Sequence, residues 1–74
     1  MVKITYDERA DAAYIFLTDP GAEIGKTYLC DPKEINGMIN LDFGKDGKLV
    51  GVEIMDASKK LPKDILDFAT RIDQ

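Results

Sequence analysis

Apolar and polar residues alternate from the start of the chain, a pattern typical of β-strands. Val2–Tyr6 alternates in this way and predicts a first strand. Branched and aromatic side chains predict a second strand over Ala13–Thr18. The turn residues Asp19-Pro20-Gly21 then lead into a third strand, Glu23–Cys30, which Asp31-Pro32 ends because proline cannot donate to a sheet ladder.

The next two segments, Ile35–Phe43 and Lys48–Met55, predict a β-hairpin closed at Asp46-Gly47, the strongest short hairpin signal. A two-residue loop there, or a four-residue loop over Lys45–Lys48, gives one register. Its apolar face pairs Phe43 with Val50, Leu41 with Val52, and Ile39 with Ile54. Its other face pairs Met38 with Met55, Asn40 with Glu53, and Asp42 with Gly51. A slip of one residue would move the apolar set off its face.

The end of the chain carries a helical stripe, with Asp56 or Ser58 as cap of a first turn and Pro62 at the start of a second helix. The stripe comprises Leu61, Ile65, Phe68, Ala69 and Ile72. It must cover the apolar face of the sheet. The expected fold is therefore α+β, a single domain over residues 1–74: an antiparallel β-meander of four to five strands with a C-terminal α-helix packed on one face.

The composition of the chain excludes several classes of function. The chain has 74 residues, a net charge of −4, no His and one Cys. The missing His excludes imidazole metal sites and Ser-His or Cys-His catalysis, and the acidic balance argues against nucleic acid. The longest apolar run, Ala12–Leu17, is too short for a membrane span or signal peptide. A lone Cys30, expected to be a small buried side chain, fits the cytoplasm.

Two blocks of the sequence resemble a family of small prokaryotic proteins named domain of unknown function 2283. The first is Tyr6-Asp7, Ala10-Asp11-Ala12, Tyr14-Ile15 and Leu17; the second is Ile39-Asn40-Leu41-Asp42, Gly47 to Ile54, and Asp56-Ala57-Ser58. The resemblance extends from about Lys3 to about Leu61 and is weakest between Asp19 and Asn36. It implies a small, sheet-rich cytoplasmic domain and supplies no activity, cofactor or catalytic residue.

Three acidic groups are candidates for chemistry. Asp42, Asp46, Gly47 and Glu53 match positions of an EF-hand loop, but Gly44 replaces a ligand and the flanks alternate as strands, so a hairpin turn is favoured. Asp7, Glu8 and Asp11 could bind a hard cation, although Asp7 and Asp11 are expected to hydrogen-bond nearby backbone amides. Asn40, Asp42 and Glu53 share a face that is expected to be solvated.

Gly51 is the remaining candidate, and two interpretations stay open. Either the backbone or a partner's side chain approaches closely there, or the glycine lies at a bend or bulge. The candidate surface residues for binding are thus Asp7, Asp11, Asn40, Asp42, Gly51 and Glu53. We expect no catalytic residue, no cofactor and no bound metal. The rings of Tyr6, Tyr14 and Tyr28 are expected mainly in the core.

The leading functional hypothesis is a non-enzymatic protein-interaction domain that self-associates; the alternative is a small carboxylate-based enzyme or metal-binding protein. A homodimer is expected, because the sheet face opposite the helix would otherwise expose an apolar set. That set is Ala13, Ile15, Leu17, Met38 and Met55. A basic protein is the second expected partner, since the chain is acidic. Neither nucleic acid nor membrane is expected to bind.

Overall fold

The computed structural model describes residues 2–30, 33 and 37–72, and builds one six-stranded sheet with two short helices. The elements are β1 Lys3–Asp7, β2 Ala12–Phe16, β3 Ile24–Cys30, β4 Ile39–Gly44, β5 Leu49–Met55, α1 Ala57–Lys60, α2 Lys63–Phe68 and β6 Thr70–Arg71. The strand order is β3-β4-β5-β2-β1-β6, with β1 and β6 parallel and all other pairs antiparallel. The α+β class is confirmed.

The predicted meander is wrong, because β2 lies beside β5 and not beside β3. Ala13 pairs with Ile54 and Ile15 pairs with Val52. The apolar residues of the β1–β2 hairpin therefore lie next to those of the β4–β5 hairpin on one face of the sheet. The residues of β3, at the sheet edge, are exposed except for half-buried Cys30. The strand count rises to six because the chain end adds β6.

The β4–β5 hairpin has the predicted register over most of its length. Ile39 pairs with Ile54, Leu41 with Val52, Asn40 with Glu53 and Asp42 with Gly51. At the turn, however, Phe43 pairs with Leu49 and not with Val50.

The difference at the turn has a local cause. The loop has three residues, Lys45–Gly47, because the Gly47 N–H donates to the Gly44 carbonyl at 3.0 Å and Gly44 pairs with Lys48. Gly47 has a φ of 83°, as expected in a type I turn followed by a left-handed residue. Val50 is the extra residue that restores the register. The start of the predicted strand, Ile35-Asn36, and the Asp31-Pro32 break lie outside the described residues.

The C-terminal segment is two short helices and a strand, not one helix to Ile72. Leu61 is extended because it precedes Pro62, which lies just before the first residue of α2. Ala69 then leaves the helical region, and Thr70 and Arg71 pair with β1. Leu66 and Ala69 are buried, whereas Phe68 and Ile72 of the predicted stripe are exposed. Leu66 and Phe68 lie on opposite sides of α2, because residues two apart in a helix are about 200° apart around its axis.

The core lies between the helices and one half of the sheet. Its buried apolar residues are Tyr6, Ala13, Ile54, Ala57, Leu66 and Ala69. Within the described residues, this cluster draws on β1, β2 and β5 but not on β3 or β4. Ala13 and Ile15 therefore belong to the helix-covered face, which corrects their predicted place on the opposite face.

The two sides of the sheet are called here the helix face and the open face. The helix face carries Tyr6, Ala13 and Ile54, and the strand pairings extend it to Leu41 and Tyr28. The open face carries the alternate residues. Tyr6 is buried as predicted, whereas Tyr28 is 49% exposed and Tyr14 is half-buried on the open face.

Candidate functional site

A polar row crosses the open face through the middle of the sheet. We define it as Tyr14, Thr27, Asn40, Asp42 and Glu53, from four adjacent strands. The pairings place Asp42 between Thr27 and Gly51, and Glu53 between Asn40 and Tyr14. Three of the predicted surface residues, Asn40, Asp42 and Glu53, thus meet in one place, as the strand alternation indicated.

Asp42 is the centre of the polar row and is only 7% exposed. The Tyr14 hydroxyl donates to its Oδ2, and the Thr27 hydroxyl donates to its Oδ1 at 2.6 Å. The prediction of a solvated face is therefore wrong for this residue, since its carboxylate is buried and hydrogen-bonded. Each oxygen accepts a hydroxyl, which is how a buried polar group avoids the free-energy penalty of lost hydration.

Tyr14 serves the polar row as a neutral donor. Burial, together with the hydrogen bond to Asp42, raises the pKa of Tyr14 well above its usual value. The neighbouring Glu53 carboxylate acts in the same direction, and accepts an amide N–H of Asn40 at 2.8 Å. The row combines two carboxylates with neutral donors, and no basic residue belongs to it.

Gly51 makes the Tyr14–Asp42 contact possible. A Cβ on Gly51 would overlap the Tyr14 hydroxyl and lie 2.6 Å from Cζ of the ring. The ring therefore crosses β5 where that strand has no side chain. The predicted close approach at Gly51 is confirmed, but the approaching group is the chain's own Tyr14 and not the predicted backbone or partner side chain. The bulge lies one residue earlier, at Val50.

Asp11 is part of a separate structural contact. Its Oδ1 accepts the Tyr6 hydroxyl at 2.7 Å and the Ser58 N–H at 3.0 Å, and its Oδ2 accepts the Ser58 hydroxyl at 2.7 Å. Hydrogen bonds from Ser58 and Tyr6 lower the pKa of Asp11. The hydrogen bond to Asp11, and then burial, raise the pKa of Tyr6 to about 12. Asp11 thus ties the β1–β2 turn to the first turn of α1.

Asp7 has a local role in the same turn, where its Oδ1 accepts the Ala10 N–H at 3.1 Å. The predicted hydrogen bond to a nearby backbone amide is thus confirmed for Asp7. It is wrong for Asp11, because the amide that its carboxylate binds belongs to Ser58, 47 residues away. Glu8 forms an ion pair with Arg71 of β6 at 3.0 Å. The acidic residues of this turn and those of the polar row have different hydrogen-bond partners.

The EF-hand alternative gives way to a hairpin, as predicted. Asp42 and Glu53 lie on paired strands, and the Asp46 carboxylate accepts the Lys48 N–H within the turn at 3.0 Å. Across residues 2–30, 33 and 37–72, no three Cys, Asp or Glu side chains gather as a metal site would require.

The helix face has a groove over β3 and β4 that the sequence did not predict. We define the apolar groove by Lys26, Tyr28, Cys30, Leu41 and Phe43. Together with Gly25, Gly44, Lys45 and Gly47, these residues line an open depression of about 800 Å³. The Tyr28 and Phe43 rings meet edge to face at 5.5 Å, and the Lys26 Nζ lies 4.7 Å from the Tyr28 ring centre. Gly44 and Lys45 complete one end, where Lys45 pairs with Glu23 at 2.7 Å.

The apolar groove is open because the helices are short. Helices of four and six residues are about 6 and 9 Å long, whereas six strands span about 24 Å. A sequence signal was present in the alternation of Lys26, Tyr28 and Cys30, which places their side chains on one face of β3. The helical stripe predicts a helix as far as Ile72, so the sequence pattern does not indicate how short the helical cover is.

The described helices are too short, and too low in apolar content, to cross a membrane. Comparison with curated proteins and with solved structures found no match to the chain. The family model described as "Protein of unknown function (DUF2283)" matches residues 3–58, which confirms the resemblance in the two sequence blocks. Since the match covers more than half of the chain, the protein belongs to the DUF2283 family.

Proposed function

We propose that this protein is a small, non-enzymatic interaction domain that associates with itself through the helix face. The observation that carries the proposal is the apolar groove, where Tyr28 is 49% exposed and packs on Phe43 beyond the reach of the helices. A connected aromatic and aliphatic surface on a small chain is typical of a docking site. The proposal keeps the protein in the cytoplasm, for which the free thiol of Cys30 is the support.

The size of the core also supports self-association. Three of the six buried apolar residues are alanines, and no large side chain among the described residues is fully buried. Small domains with so little buried apolar surface commonly gain stability by oligomerising. A copy of the same chain is always present at the concentration of the domain itself, and a two-fold dimer covers both grooves at once.

The alternative function, a carboxylate-based enzyme or metal-binding protein, draws its support from the polar row. Two features favour the interaction domain over it. Both Asp42 oxygens already accept hydroxyl hydrogen bonds, and Tyr14 is held as a neutral donor.

A basic protein is the second candidate partner, supported by the net charge of −4.

The mass of the protein in solution tests the proposal. Size exclusion with light scattering, from micromolar to near-millimolar concentration, is expected to give twice the mass of 8.2 kDa. Tyr28→Ser should lower the dimer fraction, because it removes the most exposed ring of the groove. Leu29→Ser is the matched control: Leu29 is 78% exposed on the same strand but points to the open face. A mass of one chain throughout the range would overturn the proposal.

A further inference from the structure

Helix α2 exposes the largest aromatic surface of the helical layer. Phe68, its last residue, is 77% exposed. Asp64 lies four residues earlier, one helical turn away and on the same side. Helix α2 therefore presents a ring next to a carboxylate, and Phe68 packs in no described part of the core.

The apolar groove has the complementary properties. Its floor is aromatic and aliphatic, and Lys26 and Lys45 are among its lining residues. The Lys45 ammonium is already paired with Glu23, which leaves Lys26 as the charge that a partner can meet. Lys26 has its charge over the Tyr28 ring, at the side of the groove. The groove spans two strands, about 10 Å, which matches the 10–12 Å diameter of a helix.

We infer that the occupant of the apolar groove is helix α2 of a second copy of this chain, with Phe68 as the inserted residue. The inference rests on the proposed self-association and adds which surfaces meet. Helix α2 and the groove lie on the same face of the sheet, over different strands. In a two-fold dimer of facing copies, each α2 would insert into the other copy's groove, so both contacts form at once. Asp64 then lies near Lys26, so the rim charges are opposite.

Phe68→Ser tests the inserted residue. It should raise the dimer dissociation constant about tenfold or more, as expected for a central aromatic anchor. Because Phe68 is exposed, its loss should leave the circular dichroism spectrum of the chain unchanged. Ile72→Ser is the control: Ile72 is 58% exposed but lies beyond α2. The dissociation constant of the Ile72→Ser dimer should stay within about twofold of that of the unsubstituted chain.

Charge reversal tests the pairing of the two surfaces. Lys26→Glu and Asp64→Lys should each weaken the dimer, and the double variant should recover most of the lost affinity. Lys3→Glu makes the same change of charge as Lys26→Glu on an exposed residue of β1 and should have a smaller effect.

The outcomes separate this inference from the proposed function. A monomeric unsubstituted chain overturns both. A dimer that Phe68→Ser does not weaken overturns the docking of α2 and leaves self-association standing, with the edge of β3 as the next candidate contact. A dimer weakened by Phe68→Ser and by Lys26→Glu, and rescued by the Lys26→Glu/Asp64→Lys pair, supports the inference.

Discussion

Gly51 and Tyr14 act as one unit at the scale of single residues. The Tyr14 ring of β2 lies over Gly51 of β5, where no side chain is in the way, and its hydroxyl reaches Asp42 of β4. One side chain thus links three strands. Glycine normally weakens a strand, because it adds backbone entropy to the unfolded chain and has no side chain to pack. Here that loss is offset by the hydrogen bond that satisfies a buried carboxylate.

Gly51→Ala should destabilise the fold by about 1–3 kcal/mol, because the new methyl group displaces the Tyr14 ring. Urea unfolding gives the free energy directly. Gly21→Ala is the control, since a Cβ there has no atom within 4 Å and should change stability by about 0.5 kcal/mol at most. In a Tyr14→Ala background the cost of Gly51→Ala should disappear. An equal cost in both backgrounds would contradict the contact.

Asp11→Asn should destabilise the fold by about 1–3 kcal/mol at neutral pH. The amide removes the negative charge that the Tyr6 and Ser58 donors face, and its NH2 group cannot accept a hydrogen bond where one carboxylate oxygen did. The control is Asp7→Asn, which affects one exposed hydrogen bond within the turn and should have a smaller effect.

The pH dependence of the Asp11→Asn effect has a defined sign. The pKa of Asp11 is lowered in the folded chain, so its contribution is present above the unfolded pKa of about 3.9 and is lost as pH falls through the folded value. The stability difference between the unsubstituted chain and Asp11→Asn should therefore shrink below about pH 4. A difference that does not change between pH 7 and pH 2 would contradict this role.

At the scale of elements, the β4–β5 turn fixes the register of the central strands. Its three-residue loop ends on Gly47 in the left-handed region, with a φ of 83°, and the Asp46 carboxylate accepts the Lys48 N–H. The extra residue at Val50 then returns the later pairs to the register that aligns the apolar rows. Local turn chemistry and sheet packing thus favour the same hairpin.

Gly47→Ala should destabilise the hairpin by about 1–2 kcal/mol, because a Cβ disfavours the left-handed backbone. Gly47→Asn should cost less, as asparagine tolerates this region. Thermal unfolding of both variants measures the order. Since a Cβ on Gly47 meets nothing within 4 Å, the effect must come from the backbone alone. Equal stability of Gly47→Ala and the unsubstituted chain would contradict the turn geometry.

The whole molecule is a wide sheet with a narrow helical cover. The core lies over β1, β2 and β5, and the apolar groove over β3 and β4 has no cover among the described residues. With few large side chains buried, the free energy of the isolated chain depends on a small apolar area. A second copy would add area where the cover is missing.

The melting temperature should therefore rise with protein concentration, because association stabilises the folded state by mass action. Differential scanning calorimetry from micromolar to near-millimolar protein tests this. Phe68→Ser should reduce the slope, and Leu29→Ser should not. A melting temperature that is independent of concentration would show that folding is not coupled to association.

The local elements of this protein follow from its sequence. Strand alternation places β1, β2 and β5 to within a few residues, and Asp46-Gly47 marks the turn that pairs Asn40 with Glu53. The same alternation brings Asn40, Asp42 and Glu53 to one face. These features depend on neighbours in the chain, where the two-residue period of a strand and the backbone freedom of glycine act directly.

The tertiary structure alone decided the remaining features, because they depend on contacts between distant residues. Tyr14 and Asp42 are 28 residues apart and Asp11 and Ser58 are 47 apart, and neither pair has a local pattern. The position of β2 beside β5 follows from matching apolar rows across the sheet, and Thr70-Arg71 becomes a strand because the edge of β1 is free to pair. The apolar groove is open because a sheet of six strands is wider than the two short helices that cover it.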